Sequence, residues 1–338
     1  KFVLDNLGIP FILTVPVMVM LIWFYTRKGG IKTLVWTDTF QTLCMFSALI
    51  LIIYYTIKCL DFTPMEAYHA ICDSKYSQIF VFDDWISRQN FWKQFLSGIF
   101  VVIVMTGLDQ DMMQKNLTCK TLHDAQKDMC TYGFAFVPAN LLFLALGILL
   151  ILLAQKQQMP FPESPDDLLP VFAASGYMGN IVVVFFTIGI VAASFSSADS
   201  AITAITTSIC VDIIDSPKDE KLRKSTHLGV AILFVIFIIL FKQINSTSVI
   251  DAIYIICSYT YGPLLGIFGF GIFTKRRAND QATPYIAILS PIICYAIDWY
   301  SSHHLGYKLG YELLMLNGLI TFSGLYIFSQ KNNAKICA

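Results

Sequence analysis

Long apolar runs alternate with short polar segments along the whole chain. A helix needs about 20 mostly apolar residues to cross the hydrocarbon core of a bilayer. Nine runs come close to this length or exceed it, and the segments between them are too short to hold a soluble domain. The pattern predicts an all-α polytopic membrane protein with about nine transmembrane helices, at 9–25, 38–58, 93–114, 132–154, 181–211, 228–242, 249–273, 284–300 and 311–328.

The composition supports a membrane protein and removes several other classes. Of the 338 residues, 56% are hydrophobic and only 14% are charged, whereas soluble proteins carry roughly 25% charged residues. Lys+Arg and Asp+Glu both count 23, so the chain lacks the basic surplus of a nucleic-acid-binding protein. The nine cysteines form no C-x-x-C pair, which disfavours a zinc or redox motif. Cys59 and Cys72 share one loop and could form a disulfide.

The basic residues predict how the chain crosses the membrane. Eight Lys or Arg residues lie on one side of the predicted spans and fifteen on the other, in 26–37, 115–131, 212–227, 274–283 and 329–338. Loops rich in Lys and Arg remain in the cytoplasm. We therefore expect a multi-pass protein of the plasma membrane with its C-terminus in the cytoplasm and its N-terminus outside. The first residue is Lys and not Met, and no signal peptide precedes the first span. We therefore also expect an N-terminal part to be missing.

The densest group of polar residues inside an apolar run lies in 181–211. Its stretch AASFSSADS places four small or hydroxyl-bearing residues on one helical face about 100° wide, with a carboxylate at the edge. Such hydroxyls can bond to the carbonyl four residues earlier and merely bend or pack the helix. Their density beside a carboxylate favours a site for a small hard cation, which takes several oxygen ligands. The face consists of Ala193, Ser196, Ser197 and Ser200, with Asp199 at its edge.

Two further segments carry polar signals near predicted span ends. Asp38 followed by Gln41 fits a capping box at the start of the second span, and a role in ion handling is equally open. Gly107 could unwind the third run locally, ahead of Asp109 and Asp111. The alternative for this second segment is an ordinary helix end with solvated charges.

Four segments stand in the order found in the sodium/solute symporter family, which the chain resembles over essentially all 338 residues. They are GGIKTLVWTD, LDQDMMQKNLTCKTLHDAQK, AASFSSADSAITAITTSICVDI and YTYGPLLGIFGFGIF. The resemblance implies the leucine-transporter-like fold, in which two inverted five-helix repeats enclose a site at the bilayer midplane. It implies a single transmembrane transporter domain over 1–338, with core helices four to ten, two peripheral helices, and the first core helices missing.

The resemblance also implies which residues handle sodium. The family's sodium site matches the carbonyl of Ala193 and the hydroxyls of Ser196 and Ser197. A second sodium site or a release path, present in some members, matches Asp38, Asp199 and Ser200. No metal other than sodium is expected.

The expected function is a sodium-coupled secondary active symporter that imports a small organic solute or anion by alternating access. The solute-facing positions implied by the resemblance are Val102, Met105 and Thr106; sugar-transporting members carry Asn and Tyr at the first two, which puts a sugar substrate in doubt. No catalytic residue and no cofactor are expected, and the partners are the solute, sodium and the lipid bilayer, without nucleic acid. Two alternatives from other classes are a symporter-like membrane sensor domain and an ion channel.

Overall fold

The computed structural model describes residues 10–87, 89–162, 165–216, 218–244, 249–307 and 309–330. Within these ranges the chain forms eleven α-helices and no β-strand, and a π-helical turn, Ser208–Ile213, extends α7. The helices are α1 Phe11–Cys59, α2 Pro64–Cys72, α3 Phe91–Gly107, α4 Gln110–Asn116, α5 Leu122–Lys156, α6 Leu168–Ala174, α7 Asn180–Thr207, α8 Glu220–Ile244, α9 Val249–Phe273, α10 Thr283–His304 and α11 Leu313–Phe328.

Helix α1 consists of two arms, Phe11–Thr26 and Val35–Cys59, that both pack against α7. Tyr25 at the end of the first arm contacts Asp199. Asp38 in the second arm contacts Ser196, which lies less than one helical turn from Asp199. A straight helix from residue 25 to residue 38 would span about 20 Å. The chain therefore folds back between the two arms, and they correspond to the first two predicted spans.

A glycine allows the second arm of α1 to approach α7 closely. A Cβ placed on Gly189 would lie 3.1 Å from the Cβ of Ala48, which is tighter than an ordinary contact. Asp38 contacts Ser196, and Ala48, which comes later in the chain, lies against Gly189, which comes before Ser196. The second arm therefore runs antiparallel to α7.

The chain divides into two compact units, the first made of 1–77 and 113–248 and the second of 78–112 and 249–338. In the first unit, α7 contributes to two apolar clusters. One cluster joins α7 to the second arm of α1, α5 and α6 through Leu49, Ile52, Leu146, Leu153, Phe172, Val182 and Phe186. The other joins α7 to the first arm of α1 and to α8 through Val15, Val19, Ile22, Ala198, Ile202, Val230 and Ala231. Burial of this apolar area holds the polar stretch of α7 in place.

In the second unit, a buried asparagine replaces the helical hydrogen bond that a proline removes. Pro263 in α9 has no N–H, so the carbonyl of Tyr259, four residues earlier, loses its helical donor. The Asn317 Nδ2 group donates to that carbonyl and to the carbonyl of Ser258, each at 3.0 Å. The Oδ1 atom of Asn317 accepts a 2.5 Å hydrogen bond from Ser290. This one amide thus connects α9, α10 and α11.

The predicted helix break near Gly107 is confirmed. Helix α3 ends at Gly107, and its axis makes an angle of 58° with α4. Asp109 lies in the break, where its Oδ1 atom accepts the N–H of Asp111 at 2.9 Å and its Oδ2 atom accepts the hydroxyl of Tyr261 at 2.6 Å. Asp109 is therefore hydrogen-bonded and half-buried, and the simple solvated helix end is wrong for this residue.

The all-α class is confirmed. Where the structure describes them, the predicted runs coincide with helices, and the run 93–114 coincides with the bent pair α3 and α4. Among the residues that the structure describes, five helices are long and apolar enough to cross a membrane: Val35–Cys59, Leu122–Lys156, Asn180–Ile213, Glu220–Gln243 and Ile253–Phe273. The bent pair α3 and α4 would make a sixth span, and Phe11–Thr26 and Leu313–Phe328 are shorter apolar helices. The count of nine spans stays a prediction. Cys59 and Cys72 are both free thiols, so the structure does not contain the disulfide.

Candidate functional site

The hydroxyls of α7 separate into two groups by what they bond. Ser194, Thr206 and Thr207 each donate to the carbonyl four residues earlier, at 2.6 to 2.9 Å. This back-bonding is the structural role that hydroxyls commonly take inside helices. Ser196 and Ser200 do not follow it, and both lie on the face that the sequence singled out.

Asp38 is held by one partner on α7 and one on α4. Its Oδ1 atom accepts a 2.6 Å hydrogen bond from the Ser196 hydroxyl. Its Oδ2 atom lies 3.0 Å from the ammonium nitrogen of Lys115. Because the second arm of α1 already begins at Val35, Asp38 lies inside that helix and is not its N-cap, and the predicted capping box is wrong. Its carboxylate instead takes part in contacts between helices.

Asp199 is the most deeply buried charged group of the site, with 0% of its surface exposed. Its Oδ2 atom accepts a hydrogen bond from the Tyr25 hydroxyl. Its Oδ1 atom is buried and accepts no hydrogen bond from any described residue, and the buried hydroxyl of Ser200 likewise has no partner there. Buried polar atoms are paired in the great majority of cases. Two unpaired oxygens on consecutive residues therefore indicate a place where a cation or another donor binds.

The remaining predicted residues occupy other surroundings. Ala193 borders an apolar cavity of about 180 Å³ beside Met45 and Gly189, and Ser197 is exposed on α7. Val102, Met105 and Thr106 lie on α3 in the second unit, where Val102 is exposed and the other two are half-buried.

A polar cavity of about 210 Å³ follows the site along α7. The buried ring of His227 projects from α8 at its wall, and its Nε2 atom lies 3.2 Å from the Thr26 hydroxyl. That hydroxyl donates to the carbonyl of Ile22, so it accepts from the histidine ring. The cavity is lined by Thr26, Thr203, Thr206, Thr207, Cys210, Val211, Arg223 and His227.

Two partners of the site were missed in the sequence. Tyr25 ends the first apolar run, and Lys115 belongs to a loop that was counted only for its positive charge. Neither shows a local pattern that pairs it with Asp199 or Asp38. The only available signal was that a carboxylate within a span requires a donor or a cation nearby.

The profile of the sodium:solute symporter family matches residues 1–283, which is most of the chain. The chain belongs to the sodium:solute symporter family. The resemblance drawn from the four sequence segments is thereby confirmed.

Individual symporters of known function are distant relatives of this chain. It is 25% identical over 280 residues to the human sodium-coupled monocarboxylate transporter 2, a match that covers 74% of this chain and 42% of that protein. It is 25% identical over 305 residues to the sodium/sialic acid symporter NanT of Aliivibrio fischeri, covering 84% of this chain and 59% of the relative. The chain thus spans roughly half the length of these relatives.

A solved symporter structure shares the fold. The outward-open, substrate-bound structure of a Na⁺-coupled sialic acid symporter superposes with a TM-score of 0.76 at 20% identity. The match covers 96% of this chain and 69% of that one. The symporter fold inferred from the sequence is therefore confirmed.

Proposed function

We propose that this chain belongs to a sodium-coupled secondary active symporter that imports a small organic solute or anion. The observation that carries the proposal is the pair of buried, unpaired oxygens at Asp199 and Ser200, on the helix that the family uses for sodium. Burial of an unpaired carboxylate oxygen is costly. A bound sodium ion would supply the missing positive charge and take several oxygen ligands in return.

Two sets of ligands are proposed on α7. The carbonyl of Ala193 and the hydroxyls of Ser196 and Ser197 form the sodium site, and Asp38, Asp199 and Ser200 form a second site or a release path. The bond from Ser196 to Asp38 connects the two sets. The polar cavity beyond Thr203 would then be the route by which sodium leaves toward the cytoplasm. Val102, Met105 and Thr106 are proposed to face the solute.

The mechanism we propose is alternating access. Sodium bound on α7 favours the conformation that accepts solute from outside, and the occupied protein rocks to the inward-facing state. Non-helical backbone between α3 and α4 suits a binding site, because broken helices expose backbone groups where a cavity is lined. The helices are proposed to be core helices four to ten and two peripheral helices of one transporter domain.

The proposed location is the plasma membrane, with the loop around Lys120 and the segment around Lys221 in the cytoplasm. Single cysteines placed at these two positions should react with an impermeant thiol reagent only after the membrane is permeabilised. A cysteine in 78–87 should react from outside. Labelling of position 221 in intact cells would contradict this orientation.

Uptake into proteoliposomes that contain the full-length gene product tests the function. A monocarboxylate, a sialic acid and iodide are suitable labelled probes because relatives carry these names. We expect an inward sodium gradient to drive accumulation of one probe, and an equal potassium gradient to drive none. Accumulation that is indifferent to the cation would contradict the proposal, and sodium flux without any solute would favour a channel.

The ligand assignment has a matched pair of variants on α7. Ser197→Ala removes a proposed sodium ligand, so the sodium concentration for half-maximal uptake should rise roughly 10- to 150-fold, the loss of about 1.5–3 kcal/mol for a contact to a charge. Ser194→Ala removes a hydroxyl that bonds the carbonyl of Ile190 in its own helix and should leave this concentration unchanged. If Ser197→Ala keeps normal sodium dependence, the assignment of Ser197 is wrong.

A further inference from the structure

The two oxygens of the Asp38 carboxylate are both engaged by groups of the chain itself. Ser196 donates to Oδ1 at 2.6 Å, and the Lys115 ammonium lies 3.0 Å from Oδ2. The two charged side chains are largely shielded, with 26% of Lys115 and 20% of Asp38 exposed. An ion pair at this distance in a partly buried place is screened far less than one in water.

A second carboxylate lies close to this contact on α7. Asp199 lies three residues from Ser196, so its side chain is a neighbour of the Asp38 contact on the same helix face. Tyr25 donates a hydrogen bond to Asp199 but carries no positive charge. Lys115 therefore balances Asp38, and Asp199 is the carboxylate beside which a sodium ion can bind.

We propose that the ammonium group of Lys115 is a built-in cation that takes the place of sodium at Asp38, so that Asp199 and Ser200 are the members of the second set that remain open to a sodium ion. The inference rests on the proposed sodium symport and refines it. One sodium ion, balanced by Asp199, then binds in each cycle, and Lys115 supplies the second positive charge. A lysine suits this role because its ammonium is a compact point charge with three donors on a flexible stem.

The place of Lys115 in the fold adds a functional reason. It is carried by α4, the short helix that follows the break after Gly107. The same ammonium therefore connects the segment after the break to the arm of α1 that holds Asp38. A cation that is tethered in this way cannot dissociate into solution, so it adds no ion to the transport stoichiometry.

Equilibrium binding of radioactive sodium to the purified full-length gene product tests the inference without any solute. We expect one sodium ion per wild-type protein and two per Lys115→Met protein, because methionine keeps nearly the length of the side chain and removes its charge. Lys115→Arg, which keeps the charge, should bind one. Lys120→Met, which removes an exposed lysine nearby, should also bind one.

A double variant guards against a folding defect caused by an uncompensated Asp38. Asp38→Asn combined with Lys115→Met restores the charge balance and should bind one sodium ion. Two ions bound by the wild type, or one ion bound by a folded Lys115→Met protein, would overturn the inference while leaving sodium symport intact. No saturable sodium binding by the wild type would overturn the proposed function itself.

Discussion

Asn317 in the second unit and Asp199 in the first are both completely buried, but their surroundings differ. Each polar atom of the Asn317 side chain has a partner, and its bonds reach two carbonyls of α9 and one hydroxyl of α10. Asp199 is bonded by Tyr25, whereas its other oxygen and the hydroxyl of the next residue, Ser200, have no partner among the described residues. One site is complete without a ligand, and the other is not.

This difference distinguishes buried polar groups that stabilise the fold from buried polar groups that are available to bind a ligand. A buried donor or acceptor without a partner costs about 1–3 kcal/mol. Asn317 avoids that cost for the carbonyl of Tyr259, which Pro263 leaves without a donor. Asp199 and Ser200 incur it, and folded proteins break such local rules mainly where function requires it. Variants should therefore affect stability at Asn317 and sodium binding at Asp199 and Ser200.

The largest expected loss of stability is for Asn317→Ala. The change leaves the carbonyl of Tyr259 without its donor and removes the side-chain acceptor of Ser290, whose hydroxyl keeps the backbone carbonyl of residue 317 at 2.9 Å. We expect a loss of about 3 kcal/mol in the free energy of unfolding. Denaturant unfolding of the detergent-solubilised protein measures it. The control is Asn140→Ala: Asn140 is exposed and bonds the carbonyl of Phe136 in its own helix, so its loss should remain within about 0.5 kcal/mol. Equal losses in the two variants would contradict the role of Asn317.

Gly262→Ala should cause the next largest loss of stability. A Cβ at this position would lie 2.4 Å from the side chain of Asn317, so α9 and α11 would have to move apart, at a cost of about 2 kcal/mol. Gly271→Ala on the same helix meets nothing within 4 Å and should be neutral or stabilising. The unfolding temperatures of the two variants measure this difference in stability. If Gly262→Ala is as stable as Gly271→Ala, the close packing at Asn317 is not as described.

Ser200→Ala should change sodium binding and leave stability nearly intact. Its buried hydroxyl has no partner to lose among the described residues, whereas as a ligand it contributes to sodium affinity, which should fall about tenfold, equivalent to about 1.4 kcal/mol. Titration of sodium-dependent uptake measures the shift. Ser194→Ala, which removes a hydroxyl bonded to the carbonyl of Ile190, is the matched control on α7. Reduced stability of Ser200→Ala with normal sodium affinity would reverse the comparison between the two sites.

Much of the fold and part of the site could be predicted from the sequence. Apolar length located the helices, because a bilayer requires long apolar runs, and the break at Gly107 followed from its position. The polar face of α7 was visible because hydroxyls and a carboxylate in an apolar run are rare. These signals are local, since all their residues lie within one helix.

The contacts that complete the site could not be predicted because they join residues far apart in the chain. Tyr25 and Asp199 are 174 positions apart, and Lys115 meets Asp38 only after α1 and α4 have packed beside α7. The capping prediction for Asp38 failed for the same reason. Its local pattern fits a helix start, but tertiary contacts gave the carboxylate other partners.

Sodium-dependent thermal stabilisation tests the central claim most directly. A ligand present at about 100 times its dissociation constant stabilises a protein by about 2.7 kcal/mol, so the wild type should unfold at a higher temperature in saturating sodium than in equal potassium. Asp199→Asn, which can still accept the Tyr25 hydroxyl, should lose most of this gain. Asn317→Ala should unfold earlier in both salts and keep the gain. A full sodium gain in Asp199→Asn would contradict the claim that the unpaired oxygens of α7 bind sodium.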